Sequence, residues 1–269
     1  MPTPLPRGNE FLVNTTTFSS QNRPTITALS DGRFVVAWED HSQALGDTSS
    51  SGIRVRVHNA DGSPAGNDFL VKSTAIENRE HPTITALSDG RFVVAWSDAS
   101  QTGGDTSGYA IWARIFNADG SPAGNDFLIN STTFSTQTRP TMTALSDGRF
   151  VVAWEDYSQT GGDISSSGIR AWVFNVDGSP AGNDFLINST TFSTQYRPTI
   201  TALSDGRFVV AWADASQTGG DNSGYGIRAR VFNADGSPAG NELRVNSTTL
   251  SNQLDPTITA LSDGRFVVA

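Results

Sequence analysis

Residues 82–96 read Pro-Thr-Ile-Thr-Ala-Leu-Ser-Asp-Gly-Arg-Phe-Val-Val-Ala-Trp, and this stretch decides the fold. Its opening run, Thr83 to Leu87, is small and β-branched, the composition of a strand. Ser88, Asp89, Gly90 and Arg91 follow. Asp-Gly between two apolar runs is a tight-hairpin signal, because glycine accepts positive φ. In the next strand Phe92, Val94 and Trp96 point to one side, and Val93 and Ala95 to the other. Both faces are apolar, so this strand must be covered on both.

The hairpin recurs along the chain. Asp-Gly-Arg-Phe begins at Asp31, Asp89, Asp147, Asp205 and Asp263, at a constant spacing of 58 residues. A fixed period of this length marks an array of like supersecondary units. Outward from the hairpin, a polar loop leads to a third strand opening at Ile53, Ile111, Ile169 and Ile227. In its first copy Ile53, Val55 and Val57 alternate with Arg54, Arg56 and His58, the pattern of a half-exposed strand. A turn carrying Asp119, Gly120 and Pro122, with its copies, precedes a short fourth strand opening at Phe11, Phe69, Phe127, Phe185 and Leu243. No stretch has the period of an amphipathic helix, so the unit reads as a four-stranded antiparallel meander.

A sheet with two apolar faces is most simply covered by an identical neighbour, and radial stacking of such sheets gives a propeller. The sequence therefore predicts an all-β fold: a β-propeller of 58-residue four-stranded antiparallel blades, about five of them, incomplete at the C-terminus. One domain is expected over residues 1–269, with units near 24–81, 82–139, 140–197 and 198–255 and partial units at 1–23 and 256–269. The chain stops at Ala269, one residue before the tryptophan of the earlier copies (Trp38, Trp96, Trp154, Trp212). A fragment of a longer array is the expectation, with edge strands open to self-association.

The formal net charge of −9, with Lys and Arg scattered singly, argues against nucleic acid as a partner. With no cysteine there is neither a disulfide nor a thiolate metal site. No apolar run approaches the ~18 residues of a membrane-crossing helix, so membrane insertion is not expected. Residues 1–7 hold three prolines and no apolar core, so no export signal is visible in them.

The loops after the second strand carry paired acids: Asp40 with Asp47, Asp98 with Asp105, Asp156 with Asp163, and Asp214 with Asp221. Hydroxyls, an amide and glycine lie between them, an oxygen-rich set that suits Ca²⁺. The same residue types are ordinary turn formers, so a purely structural loop is the competing reading. Tyr109, Tyr157 and Tyr225 lie in or beside these loops and are candidate ligand-binding rings. Asp31 and its copies read as hairpin turns, while the tryptophans continue the core face. His41, His58 and His81 occupy different repeat positions and read as surface residues.

The run from Arg23 or Arg197 through Thr-Ile-Thr-Ala-Leu-Ser-Asp-Gly-Arg-Phe-Val-Val-Ala-Trp, with Phe-Asn-Ala-Asp-Gly-Ser-Pro-Ala-Gly-Asn, resembles repeats of large bacterial secreted proteins. Those often carry haemolysin-type calcium-binding nonapeptide arrays; the nonapeptide itself, Gly-Gly-x-Gly-x-Asp, does not occur here. More distantly, each unit resembles a sialidase blade, whose Asp-box sits where this chain has Asp119, Gly120, Ser121 and Pro122. That likeness implies arginines converging on a carboxylate beside a Tyr/Glu pair. Arg23, Arg139 and Arg197 precede the inner strands, and His81 and Asp255 take that place in the other copies.

Residues 127–150 and 185–208 differ only at Thr138/Tyr196 and Met142/Ile200, the mark of tandem duplication. Such repetition leaves little room for one asymmetric site. The expectation is a non-enzymatic scaffold or adhesion region of a larger secreted or cell-surface protein, meeting glycans or other surface proteins. The alternatives are a multivalent carbohydrate-binding or calcium-dependent lectin-like module, and a sialidase-type glycosidase.

Overall fold

A computed structural model of the 269-residue chain describes residues 9–44, 47–72, 77–164, 166–220 and 224–269. The proline-bearing residues 1–7 and Asp221 lie outside the described residues. The first blade comprises β1 (Gln21–Ala28), β2 (Phe34–Asp40), β3 (Gly52–His58) and β4 (Phe69–Leu70). The second comprises β5 (Arg79–Ala86), β6 (Phe92–Asp98), β7 (Ala110–Phe116) and β8 (Phe127–Leu128). In the third are β9 (Gln137–Ala144), β10 (Phe150–Asp156), β11 (Gly168–Phe174) and β12 (Phe185–Leu186). The fourth has β13 (Gln195–Ala202), β14 (Phe208–Asp214), β15 (Gly226–Phe232) and β16 (Leu243–Arg244). A two-stranded sheet of β17 (Ile258–Ala260) and β18 (Phe266–Val268) follows.

Within every sheet the strands pair antiparallel in chain order, so each blade is the expected meander and the fold is a β-propeller. The core lies between blades. Val35, Ala37, Ile53 and Val55 of the first blade pack on Phe92, Val94 and Trp96 of the second. Val93, Ala95, Ile111 and Ala113 then pack on Phe150, Val152 and Trp154 of the third. One face of each second strand thus fills the gap to the blade before it, the other face the gap to the blade after it. At about 1.5–3 kcal/mol for each fully buried large apolar side chain, these inter-blade seams are the main source of stability.

The turn between the third and fourth strands also serves the seam. Gly120 has φ +87, and a Cβ there would lie 2.8 Å from the Phe69 ring of the blade before. Phe127 approaches Gly178, and Phe185 approaches Gly236, in the same way. Glycine is needed at these positions for both the backbone angle and the close approach.

Two expectations are corrected in detail. The fourth strands are shorter than the run from Phe127 to Asn130: regular strand spans Phe127–Leu128, with one further backbone bond from Ile129 N to Ile111 O at 2.8 Å, and the Asn130 side chain then accepts the Ile111 N–H. His58 is not a surface residue: it is fully buried and stacks on Phe34 at 5.1 Å, standing where the other blades have Phe116, Phe174 and Phe232.

A feature not evident from the period organises one end of the propeller. Between first and second strands the register slips once per complete blade, between Asn22 and Thr25, Glu80 and Thr83, Thr138 and Thr141, and Tyr196 and Thr199. Within each slip sit a non-glycine residue at positive φ and then a proline. These are Arg23 (φ 47), His81 (φ 55), Arg139 (φ 51) and Arg197 (φ 54); Asp255 (φ 55) repeats the arrangement before Pro256. Proline brings no N–H to the ladder, so the sheet bulges there, and a bulge re-aims its side chain. A left-handed non-glycine residue costs about 1–2 kcal/mol, so the chain carries this strain in every copy.

Candidate functional site at the propeller axis

The five bulge residues meet. Arg23, His81, Arg139, Arg197 and Asp255, with the prolines that follow them, line one cavity of about 560 Å³ on the axis. It is lined by the opening residues of the first strands, which pair with the ends of the second strands, so it lies at the end of the blades that carries the acidic loops.

Carboxylates tie this ring together across blades. Glu39 lies at the end of β2 and is 1% exposed; its Oε1 accepts from Arg23 Nη1 at 2.8 Å and from the backbone N–H of His81 at 2.5 Å. Glu155, fully buried in β10, repeats this with Arg139 Nη1 at 3.2 Å and the Arg197 N–H at 2.7 Å. Ser97 takes the same position in the second blade, accepting the Arg139 N–H at 3.1 Å. The fourth blade has Ala213 there, which offers no acceptor, and Asp255 instead contacts the Arg197 guanidinium.

Aromatic rings flank the ring of charges. Tyr157 donates its hydroxyl to Glu155 Oε2 at 3.1 Å, and Tyr109 donates to Glu80 Oε1 at 3.3 Å. Tyr225 packs edge-on against Tyr196 at 4.8 Å, and the Arg197 guanidinium lies 5.3 Å from the Tyr196 ring. All three tyrosines expected to bind ligand are therefore half-buried beside axial residues. Burial and then the Glu155 charge push the Tyr157 phenol up to about 12, so it stays protonated and holds its hydrogen bond to Glu155 at neutral pH. Burial, then the Arg23 and Arg139 charges, bring His81 down to about 4 against the pull of Glu39, so it is neutral there.

The paired aspartates anchor their loops. Asp40 accepts from Ser42 N at 3.0 Å, Ser42 Oγ at 2.8 Å and Arg54 Nε at 2.5 Å. Burial alone would raise its pKa, but these bonds and one from Gln21 outweigh it and hold the carboxyl below the usual range. Asp98 accepts from Ser100 N, Trp96 Nε1 and Arg79 Nε, with Lys72 at 3.4 Å. Asp156 and Asp214 each cap a serine N–H and lie 3.6 Å from Arg170 and Arg228. Of the second acids, Asp47 accepts from Ser49, Asp163 accepts from Asn188, and Asp105 is buried. Among the described residues no three His, Cys, Asp or Glu side chains gather as a metal site.

The sequence reading passed over Glu39, Glu155, Glu80 and Tyr196. Their signal is the breaking of the repeat. Equivalent positions hold Asn22, Glu80, Thr138, Tyr196 and Leu254; then Glu39, Ser97, Glu155 and Ala213; then His41, Ala99, Tyr157 and Ala215; then Ser51, Tyr109, Ser167 and Tyr225. These positions differ among the copies and lie at the axial end of the blades.

No protein-family model and no curated protein matches the sequence. Solved structures do match in fold. A Penicillium chrysogenum alpha-L-arabinanase complexed with arabinobiose superposes with a TM-score of 0.64 at 14% identity, over 93% of this chain and 74% of that one. The endo-arabinase of Bacteroides thetaiotaomicron gives 0.52 at 18% identity, over 91% and 87% of the two chains. A Hadza microbial sialidase gives 0.57 at 10% identity, over 87% of this chain and 47% of the other.

These neighbours overturn the expected non-enzymatic scaffold or adhesion region, and with it the expectation that the chain is no enzyme. The propellers it superposes on are glycoside-cleaving enzymes. Repetition does not preclude asymmetry, since a few substitutions suffice when every copy aims one strand-end residue at a common axis. The expected likeness to sialidase blades stands at the level of fold.

Proposed function

We propose that this propeller is a glycoside hydrolase that takes a neutral glycan in its axial cavity. One observation carries the reading: the bulge residue, which is Arg23, His81, Arg139, Arg197 or Asp255 according to the copy, is turned by a positive-φ backbone into one shared cavity and makes that cavity asymmetric. The neighbours that act on carbohydrate, one of them complexed with arabinobiose, support the class of ligand.

Charge bears on which glycan. Each axial arginine is already committed to a carboxylate: Arg23 to Glu39, Arg139 to Glu155 and Arg197 to Asp255. With His81 neutral, the ring has no guanidinium in surplus for a substrate carboxylate. It offers guanidinium N–H donors, threonine hydroxyls and the Asp255 carboxylate to sugar hydroxyls. A neutral sugar therefore suits the cavity better than a sialoside.

Glycoside hydrolysis runs on a pair of carboxyl groups. Glu39 and Glu155 are the candidates, each fixed by a guanidinium and a backbone N–H, and Tyr157 orients Glu155 through its hydroxyl. Secretion is part of the proposal, since polysaccharides are met outside the cell.

The test is reducing-sugar release from arabinan and from panels of neutral and sialylated oligosaccharides. Neutral glycans are expected to be cleaved, with Glu155→Gln and Glu39→Gln each slowing turnover by ~10²-fold or more. Cleavage of sialosides alone would displace the neutral reading, and neither binding nor cleavage of any glycan would end the proposal.

A further inference from the structure

Large apolar side chains stand in water at the end of the blades that carries the axial cavity. Phe18, Phe134 and Phe192 are 60%, 50% and 50% exposed, and Leu250 repeats the position at 74%. Each lies five residues before a bulge residue of the cavity: Arg23, Arg139, Arg197 and Asp255 in turn. The second copy has Ile76 there, which lies outside the described residues.

The backbone beneath these side chains is tightly fixed. Gln137 is fully buried; its Nε2 donates to Phe134 O at 3.0 Å and to Asp156 Oδ1 at 3.1 Å, and its Oε1 accepts from Asn130 Nδ2 at 3.2 Å. Asn130 Nδ2 also donates to Thr132 O at 2.6 Å, and Asn130 Oδ1 accepts the Ile111 N–H. Gln195 and Asn188 repeat the clamp on Phe192 O at 3.0 Å and Thr190 O at 2.7 Å. Gln21 holds Phe18 O at 3.0 Å, and Gln253 holds Leu250 O at 2.9 Å. The residue that follows has positive φ in all four copies: Ser19 (64), Ser135 (65), Ser193 (68) and Ser251 (63). Two of these serines lean on the loop after the second strand, where Ser135 Oγ donates to Tyr157 O at 3.1 Å and Ser19 Oγ to His41 O at 3.0 Å. A buried amide relay and a strained turn thus hold the chain under a ring that the core does not use.

We propose that Phe18, Phe134 and Phe192 are platforms that hold neutral polysaccharide across the rim of the axial cavity. The inference rests on the reading that this cavity takes a neutral glycan, and it adds that the protein grips polymer outside the reaction centre. The surroundings of the rings select the occupant. Each ring follows two threonines: Thr16 and Thr17, Thr132 and Thr133, Thr190 and Thr191. An apolar face therefore stands beside hydroxyls. A sugar ring is built the same way, with C–H faces that rest on an aromatic ring and hydroxyl edges that hydrogen-bond. A protein partner calls for a continuous apolar patch, whereas these rings recur once per 58 residues with polar residues around them. An anionic bilayer calls for clustered Lys and Arg, and residues 14–22, 130–138 and 188–196 contain neither.

The experiment is electrophoresis of the full chain through gels containing linear arabinan, xylan or mannan, which reads binding without turnover. Retardation by at least one of these polymers is expected. In the triple variant Phe18→Ala, Phe134→Ala, Phe192→Ala the affinity for that polymer should fall ~10-fold or more, because platforms on one polymer chain reinforce each other. The ratio of polymer affinity to arabinobiose affinity, by calorimetry on the same variant, should fall with it. Tm should stay within ~2 °C, since the rings face solvent. Tryptophan at the three positions should restore the retardation. Polymer affinity that ignores the three changes would overturn the inference and leave the hydrolase reading standing. Ring-dependent retardation in a chain that cleaves no glycan would sustain the inference and remove the hydrolase reading. Free migration in all three gels, ring-dependent binding to phosphatidylcholine vesicles, or ring-dependent self-association would each overturn it.

Discussion

Glu155 of the third blade accepts the backbone N–H of Arg197, the bulge residue of the fourth, at 2.7 Å. One carboxylate therefore both fixes a neighbour's strained turn and belongs to the proposed reaction centre. Glu39 does the same for His81 at 2.5 Å. The fourth blade shows what lies at the end of this series, for Ala213 leaves the N–H of Asp255 without that acceptor.

Loss of Glu155 should therefore cost stability as well as turnover. Glu155→Ala is expected to lower the unfolding free energy by about 1–3 kcal/mol, since a buried N–H loses its acceptor and Arg139 its partner. Urea denaturation measures this. An unchanged midpoint would mean that the contact does not join the blades.

His81 gives the protein a pH dependence of definite sign. Its pKa is about 4 in the folded chain, lowered by burial and then by Arg23, against 6.5 when unfolded. Below pH 6.5 the unfolded state takes up the proton first, so stability is complete above that value and falls as pH drops toward 4. The loss is at most about 3 kcal/mol. In His81→Asn this component should vanish, and the difference between the two stability curves over that window is the measurement.

Asp255 is the cheapest of the strained positions to release. It stands at φ 55, and its pair with Arg197 is exposed, 67% on the Asp255 side. Exposed pairs contribute little, while glycine takes positive φ freely. Asp255→Gly should raise stability by about 0.5–1.5 kcal/mol and weaken glycan binding, read by thermal melts and calorimetry on the same preparation. Tighter binding in the variant would place Asp255 outside the site.

Two turn glycines with nearly equal angles should respond differently to alanine. Gly32 (φ +89) has nothing within 4 Å of an added Cβ, while Gly120 (φ +87) has the Phe69 ring at 2.8 Å. Gly32→Ala is expected to cost about 1–2 kcal/mol, from backbone strain alone. Gly120→Ala adds a clash across the seam and should cost about 1–3 kcal/mol more. Equal losses would mean that Phe69 moves aside freely.

The architecture was legible because its determinants are local. Asp-Gly turns and period-two alternation fix the hairpins, and the double apolar face of Phe92, Val93, Val94, Ala95 and Trp96 demands a cover on each side. The site was half legible. Arg23, Arg139, Arg197, His81 and Asp255 stood out before their prolines, but sequence does not reveal a ladder slip that turns them to one axis. Glu39 and Glu155 carried no signal of their own, because their partners lie on other strands or in the next blade. The aspartates drew notice by residue type alone, and Arg54 and Arg79 hold two of them in place.

The proline after each bulge residue has an evolutionary corollary. It takes the preceding position out of the pairing pattern, so that position is read by the cavity and hardly at all by the sheet. Arginine, histidine and aspartate already occupy it in this single chain. Gene duplication can thus multiply the blade as a finished part, while point changes at one address per copy compose new chemistry at the centre without renegotiating the walls.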